Sequence, residues 1–278
     1  MTGSPQSRFR IEGKAAVITG GAGLLGYQHA LAIMSAGGIP LLLDINEKQA
    51  QENAKILSET FSGECYGYYS DITDKKSLQS IRSQFTDQFG SVEILINNAA
   101  NDPKVTEKPS EKPWSRFEHF PENVWDIDVA VALKGSFLCS QIFGSEMANR
   151  RKGVILNIAS DLGIIAPDQR IYRKEGVADD MQPVKPVTYS VVKHGIIGLT
   201  KYLATYWADK GVRVNALCPG GVYNGQPSEF VQKLTNLIPM GRMAEVDEYQ
   251  CAVIFLVTDA SSYMTGSILN IDGGRTCW

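Results

Sequence analysis

The chain has 278 residues, 44% apolar and 21% charged, with a formal net charge of −3 and a pI near 5.7. That balance is ordinary for a soluble globular protein, carries no basic footprint for nucleic acid, and is large enough for one α/β domain with a substantial core. The five cysteines (Cys65, Cys139, Cys218, Cys251, Cys277) and three histidines (His29, His119, His194) lack metal-like spacing, so the thiols read as reduced and no metal site is expected.

Met1 to Arg10 is polar and lacks the apolar stretch of a secretion signal. Apolar runs such as Ile39 to Leu43 and Ile94 to Ile96 are strand-sized and too short for a bilayer. A cytoplasmic protein without a membrane or nucleic-acid partner is therefore expected. Short apolar runs alternate with helix-period segments along the whole chain, the pattern of a parallel sheet covered on both faces. With no linker or internal repeat, residues 1–278 read as one dinucleotide-binding catalytic domain with loop insertions near 101–121 and 165–186.

The first expected strand, Ala15 to Thr19, runs into Gly20, Gly21, Gly23 and Gly26, with Leu25 in the same turn. A helix over Leu24 to Ala36 follows, stopped by Gly37-Gly38. Absent side chains let such a turn approach a pyrophosphate, whose charge a helix N-terminus favours. The second strand, Ile39 to Leu43, leads into Asp44 and Ile45. A carboxylate there can accept from the adenosine ribose hydroxyls and would repel a 2′-phosphate; neither Gly23 nor Ile45 supplies an offsetting cation, which favours NAD over NADP. The competing reading of Asp44 is an N-cap for the helix that begins at Asn46-Glu47.

A helix over Glu47 to Glu59 and a strand over Glu64 to Tyr69 precede Asp71-Ile72, placed to meet the adenine edge. A helix over Lys75 to Phe89 and a strand over Ile94 to Ile96 precede Asn97-Asn98-Ala99, where amides would line the cofactor crevice. Pro103, Pro109, Pro113 and Pro121 mark a loop before a long helix over Val124 to Asn149. The strand Val154 to Ile158 delivers Ser160, and Pro167, Pro183 and Pro186 mark a second loop. In that loop Arg170, Arg173 and Lys174 beside Tyr172 are either contacts to a polar or anionic ligand or a solvated face. A helix over Thr188 to Lys210 and strands over Val212 to Leu217 and Ser267 to Ile271 complete seven strands.

Tyr189 and Lys193 stand at positions i and i+4 of the last long helix, so they share one face. A second such pair, Tyr206 and Lys210, has no serine on a preceding strand end and reads as packing.

The glycine turn, Asp44, Asp71-Ile72, Asn97-Asn98-Ala99, Asn157 to Ser160, Tyr189 to Lys193, Pro219-Gly220 and Asp272-Gly273-Gly274 together resemble the short-chain dehydrogenase/reductase family over nearly the full length. The resemblance implies a Rossmann-type doubly wound parallel sheet, an NAD cofactor, and a homodimer or homotetramer paired through the long helices. It implies Tyr189 as general acid/base, Ser160 bonded to the reacting oxygen, and Lys193 holding the nicotinamide ribose while making the phenol more acidic. It also implies that Pro219, Gly220 and the Val222 backbone clamp the nicotinamide carboxamide. Moving a phenol from about 10 to about 7 takes roughly 4 kcal/mol of preferential anion stabilisation, which nearby cationic charge supplies.

Three departures from the family pattern stand out. The middle glycine falls at Gly23 where the usual turn has it at Leu24, a spacing shared with longer sugar-nucleotide epimerases and dehydratases of the superfamily. Ala132 occupies the place of an asparagine associated with a proton relay. Ser160 and Tyr189 lie 189 − 160 = 29 positions apart, a wide gap filled by the second loop. That loop, Ala166 to Tyr172, and the tail Asp272 to Trp278 resemble a subgroup associated with flagellin glycosylation and nonulosonic-acid gene clusters. The leading reading is an NAD-dependent oxidoreductase interconverting a secondary alcohol and a ketone on a polar, sugar-derived substrate. The alternatives are an NAD-retaining epimerase or dehydratase and a non-catalytic dinucleotide-binding regulatory protein.

Overall fold

A computed structural model describes residues 4–101 and 113–278, so Pro103 and Pro109 of the first expected loop lie outside the described residues. Seven strands appear, β1 (Ala15–Thr19), β2 (Ile39–Asp44), β3 (Tyr66–Tyr69), β4 (Val92–Asn97), β5 (Gly153–Ile158), β6 (Val212–Pro219) and β7 (Ile268–Ile271). They form one parallel sheet in the order β3-β2-β1-β4-β5-β6-β7. β3 starts later than expected because Cys65 N–H donates to Ser58 Oγ on the preceding helix instead of joining the ladder.

The helices are α1 (Leu24–Ser35), α2 (Glu47–Phe61), α3 (Lys75–Phe89), α4 (Glu122–Asn149), α5 (Val187–Trp207), α6 (Ser228–Thr235) and α7 (Gln250–Val257). α5 stops in a 3-10 turn at Ala208–Lys210, closed by Gly211 with φ of +69°. α6 and α7 were not expected. α6 is amphipathic but only two turns long, and α7 reads QCAVIFLV, nearly all apolar, with no polar face to set a helical period.

Alternate strand residues face opposite layers. Ile18, Leu42 and Ile96 pack against Ala30 and Ile33 of α1 and Val253 and Leu256 of α7. Val17, Leu41, Leu43 and Leu95 pack against Phe85 of α3, Phe143 and Met147 of α4, and Leu203 and Trp207 of α5. Each such side chain, fully buried, contributes about 1.5–3 kcal/mol against leaving it in water. α4, although long and apolar enough to cross a membrane by length and composition, is 56% buried over its most apolar window and belongs to this second layer. It is not a regular α-helix throughout, passing through π turns at Ala130–Lys134 and Ser140–Gly144.

Candidate active site

The strand order reverses between β1 and β4, and ligands of open α/β sheets bind in the crevice at such a reversal, beyond the strand C-termini. The glycine turn sits there. Gly20 has φ of +68°, and its N–H donates to Leu43 O at 2.8 Å. A Cβ on Gly26 would lie 2.1 Å from Gly20 O, so the first turn of α1 can approach the loop only without a side chain. Asn98 locks the turn from β4: its Nδ2 donates to Thr19 O at 3.0 Å and Gly20 O at 3.3 Å. The N–H groups of Asn98 and Ala99 both donate to the buried Thr19 Oγ1 at 3.0 Å. Asn53 of α2, a residue with no sequence signal of its own, adds a bond from Nδ2 to Gly21 O at 3.1 Å.

Asp44 closes β2 with both carboxylate oxygens turned to this region. Oδ2 accepts from Ala22 N–H at 3.0 Å and Oδ1 from Asn46 N–H at 2.9 Å. The N-cap of α2 is Asn46, whose side chain accepts from Gln49 N–H, so the capping reading of Asp44 is wrong. Ile45 is 70% exposed and brings no charge. Asp71 is half-buried, with Oδ1 accepting from Thr73 N–H and Oγ1, while Ile72 is buried against Gly135 of α4.

Beyond the turn, Ser160, Tyr189 and Lys193 line one cleft of about 340 Å³ together with Leu25, Asn98, Tyr172, Pro219, Gly220 and Val222. Ser160 leaves the end of β5, and the start of α5 carries Tyr189 and, one turn on, Lys193. Lys193 is buried, donates from Nζ to Ile158 O at 3.0 Å, and lies 5.8 Å from the Tyr189 ring centroid. Lys185, one turn before Tyr189, reaches 3.8 Å from the same centroid. Ala132 is buried inside the first π turn of α4.

Several sequence expectations need correction. Asn97 does not line the crevice; it is buried, and its Nδ2 donates to Asn157 Oδ1 at 2.8 Å and Ser140 Oγ at 3.1 Å within the sheet's polar interior. Arg170 is outside the cleft lining: its guanidinium grips Asp168 through Nε and Nη2 at 2.8 and 2.6 Å and holds that carboxyl down to about 2. Tyr206 is not packed inside the chain but is 60% exposed, its ring stacked on Tyr202 at 5.7 Å. In turn the cleft contains Asp161, Lys185, Gln226, Phe230 and Arg275, which no motif singled out. The loop over 165–186 contributes Tyr172 and Ile171, and Tyr172 packs on Phe230 of α6 at 5.6 Å.

Residues 21–276 match a family model described as Enoyl-(Acyl carrier protein) reductase. Over 96% of this chain and 96% of the relative, the sequence is 33% identical to an NAD-dependent glycerol dehydrogenase of Listeria innocua. It is 32% identical to a D-threitol dehydrogenase of Mycolicibacterium smegmatis, over 96% of this chain and 95% of that protein. Among solved structures, a gluconate 5-dehydrogenase from Burkholderia cenocepacia in complex with NADP and tartrate superposes with a TM-score of 0.84, covering 99% and 100% of the two chains at 26% identity. The chain belongs to the short-chain dehydrogenase/reductase family. It is a nicotinamide-dependent oxidoreductase that interconverts an alcohol and a ketone on a polar substrate.

Proposed function

We propose that the substrate is a polyol or sugar derivative, that NAD is the preferred cofactor, and that Ser160, Tyr189 and Lys193 are the catalytic residues. The observation that carries this reading is the meeting of those three side chains in one cleft, beside a glycine turn too tight for any Cβ at Gly26. Gly20, Gly21, Gly23, Leu25 and Gly26 would receive the pyrophosphate side of the dinucleotide, and Asp44 and Ile45 the adenosine ribose. Asp71 and Ile72 would meet the adenine, Asn98 and Ala99 the nicotinamide ribose edge, and Pro219, Gly220 and Val222 the carboxamide. The Asp44 carboxylate disfavours a 2′-phosphate at the ribose it would hold.

A bound nicotinamide would supply the acceptor for the hydride, one proton with two electrons, that leaves the carbinol carbon. The protein's part is proton transfer and charge. Tyr189 as phenolate removes the hydroxyl proton, and the ammonium groups of Lys193 and Lys185 beside its ring favour that anionic form. Ser160 holds the reacting oxygen as negative charge develops on it. Lys193, anchored on Ile158 O, keeps a fixed place from which to bond the ribose.

Polyol relatives support the substrate class, with threitol and glycerol named among them. The apolar roof of Ile171, Phe230, Leu234 and Met243 would cover the carbon face of such a ligand while the polar floor reads its hydroxyls. The epimerase reading keeps only the glycine spacing in its favour. One fold unit over residues 1–278, a cytoplasmic site and a homo-oligomer complete the proposal. The five unpaired cysteines support a reducing compartment, and the exposed Phe137, Val191, Tyr202 and Tyr206 on α4 and α5 support pairing of subunits through those helices. The test is a panel of linear polyols, aldonates and ketoses with NAD or NADP, read at the NADH absorbance. Absence of turnover on every polyhydroxylated compound, with oxidation of apolar alcohols instead, refutes the substrate class.

A further inference from the structure

Asp161 and Arg275 form an ion pair withdrawn from water, their side chains 4% and 6% exposed, with Arg275 Nη1 donating to Asp161 Oδ2 at 2.7 Å. Both residues line the cleft that holds Tyr189. The other carboxylate oxygen is committed as well: Asp161 Oδ1 accepts from Ser160 Oγ at 2.8 Å and from Leu162 N–H at 2.7 Å. Arg275 reaches the site from the tail beyond β7. Gly273 and Gly274, with φ of +65° and +90°, turn the chain back, and the Asp272 carboxylate fixes the turn by accepting from Gly274 and Thr276 N–H at 2.9 and 3.0 Å.

The charge arrangement is pointed. Catalysis as proposed places negative charge on the Tyr189 oxygen and on the reacting oxygen held by Ser160. A bare carboxylate directly after Ser160 opposes both, and a buried charge without a partner is itself costly. Arg275 offsets it through Oδ2 and leaves Oδ1 to hold the serine. Other charged or titratable groups surround the pair. Lys193 and Tyr189 stand on α5, Lys185 ahead of it, and Cys218 on β6. Tyr249 and Glu248 lie before α7, Asp272 stands beside the tail turn, and Asp168 faces Arg275 from the loop. Burial first, and then the Asp161 charge, pushes the Tyr249 phenol up.

We propose that Asp161 and Arg275 act as one neutral unit, in which Asp161 holds the Ser160 hydroxyl until its single O–H turns to the reacting oxygen of a bound substrate, and Arg275 keeps the cleft's charge balance set for a phenolate at Tyr189. They are positioning residues, and the proposal rests on the reading of Tyr189 as the proton-carrying group. The experiment titrates the near-ultraviolet phenolate band of NAD-bound protein, taken as the difference between each protein and its Tyr189→Phe counterpart. Arg275→Gln should raise the Tyr189 midpoint by about one pH unit and Asp161→Asn should lower it by a similar amount, the order expected for a unit charge in the same cleft. The double variant should return the midpoint to its original position, and Arg275→Lys should leave it there. In turnover, Arg275→Gln should lower kcat roughly tenfold at pH values below the Tyr189 midpoint, with a smaller change in KM.

A salt bridge too remote from Tyr189 to set its charge balance predicts no opposed shifts and no cancellation. Midpoints unmoved in the single variants, or displaced in the double variant, overturn the proposal. Should Arg275→Gln fail to fold, Asp161→Asn against the double variant makes the same comparison. Loss of the polyol assay alone sinks the substrate reading and leaves the titration intact. Unmoved midpoints with good polyol turnover sink the pair's role and leave the substrate reading intact.

Discussion

His29 offers a measurement that needs no substrate. It lies in α1 with no exposed surface, and burial holds its imidazole down to about 4 from an ordinary 6.5, against a smaller opposing influence from the Asn98 side chain. Unfolding releases it to the ordinary value. Above about 6.5 both states carry a neutral ring and no protonation cost arises; between 6.5 and 4 the unfolded chain takes up a proton that the folded chain refuses. Stability from this group is therefore full at neutral pH and is lost as pH falls through that window. The linkage integral gives about 2 kcal/mol lost between pH 7.5 and pH 5, and roughly 3 kcal/mol in all. Urea unfolding followed by circular dichroism at those two pH values, on the original protein and on His29→Leu, isolates the effect, because carboxylate titrations are common to both. The variant should lose about 2 kcal/mol less on acidification. Equal losses in the two proteins would show that His29 is protonated in the fold and refute the burial argument.

The other predictions concern the cleft and the turn. Tyr189→Phe should remove turnover by at least roughly 100-fold while NAD affinity, measured by calorimetry, stays within about twofold, because only the proton carrier is lost. Asp44→Ala should narrow the preference for NAD over NADP by about tenfold in kcat/KM, the scale of one removed charge–charge repulsion; unchanged preference would place the ribose elsewhere. Gly26→Ala forces a Cβ to within 2.1 Å of Gly20 O. It should cost about 1–3 kcal/mol of stability and weaken NAD binding, both visible in thermal melts with and without NAD.

What the sequence made legible follows the local rules. Most of the seven strands are short apolar runs with a turn signal at the end, and all were found in parallel order, β3 alone starting two residues later than expected. Glycines and the i, i+4 pair are readable because their geometry is fixed by the backbone near them. α7 was not legible because its near-continuous apolar sequence has no polar face to set a period. Asn97 was misplaced for a related reason. The strand-end rule puts Asn97, Asn98 and Ala99 near the crevice, but side chains alternate along a strand, and Asn97 falls on the side that faces Asn157 and Ser140. Arg170 was legible as a cation, but Asp168, two residues before it, is a nearer partner than any ligand.

Asp161 and Arg275 mark the harder limit. They are 114 positions apart, and neither has a spacing rule that would join them. Alone, Asp161 after a strand reads as a turn residue and Arg275 near a terminus reads as solvated charge. Only the fold reveals that the end of β5 and the tail after β7 face one cleft, and burial then forces the pairing, since neither charge can be left alone there. The proposed nucleotide seat is thus carried by β1, β2 and β4 with their local turns. The opposite wall is built from the 165–186 loop, α6 and the tail, segments distant in sequence that converge beyond the strand ends. Exchanging those segments between members of the family should therefore change which polyol is turned over more than how tightly the dinucleotide is held. A chimera carrying the roof and tail of a relative, assayed for both, would reveal any transfer of cofactor preference with the tail, an outcome that this division of labour forbids.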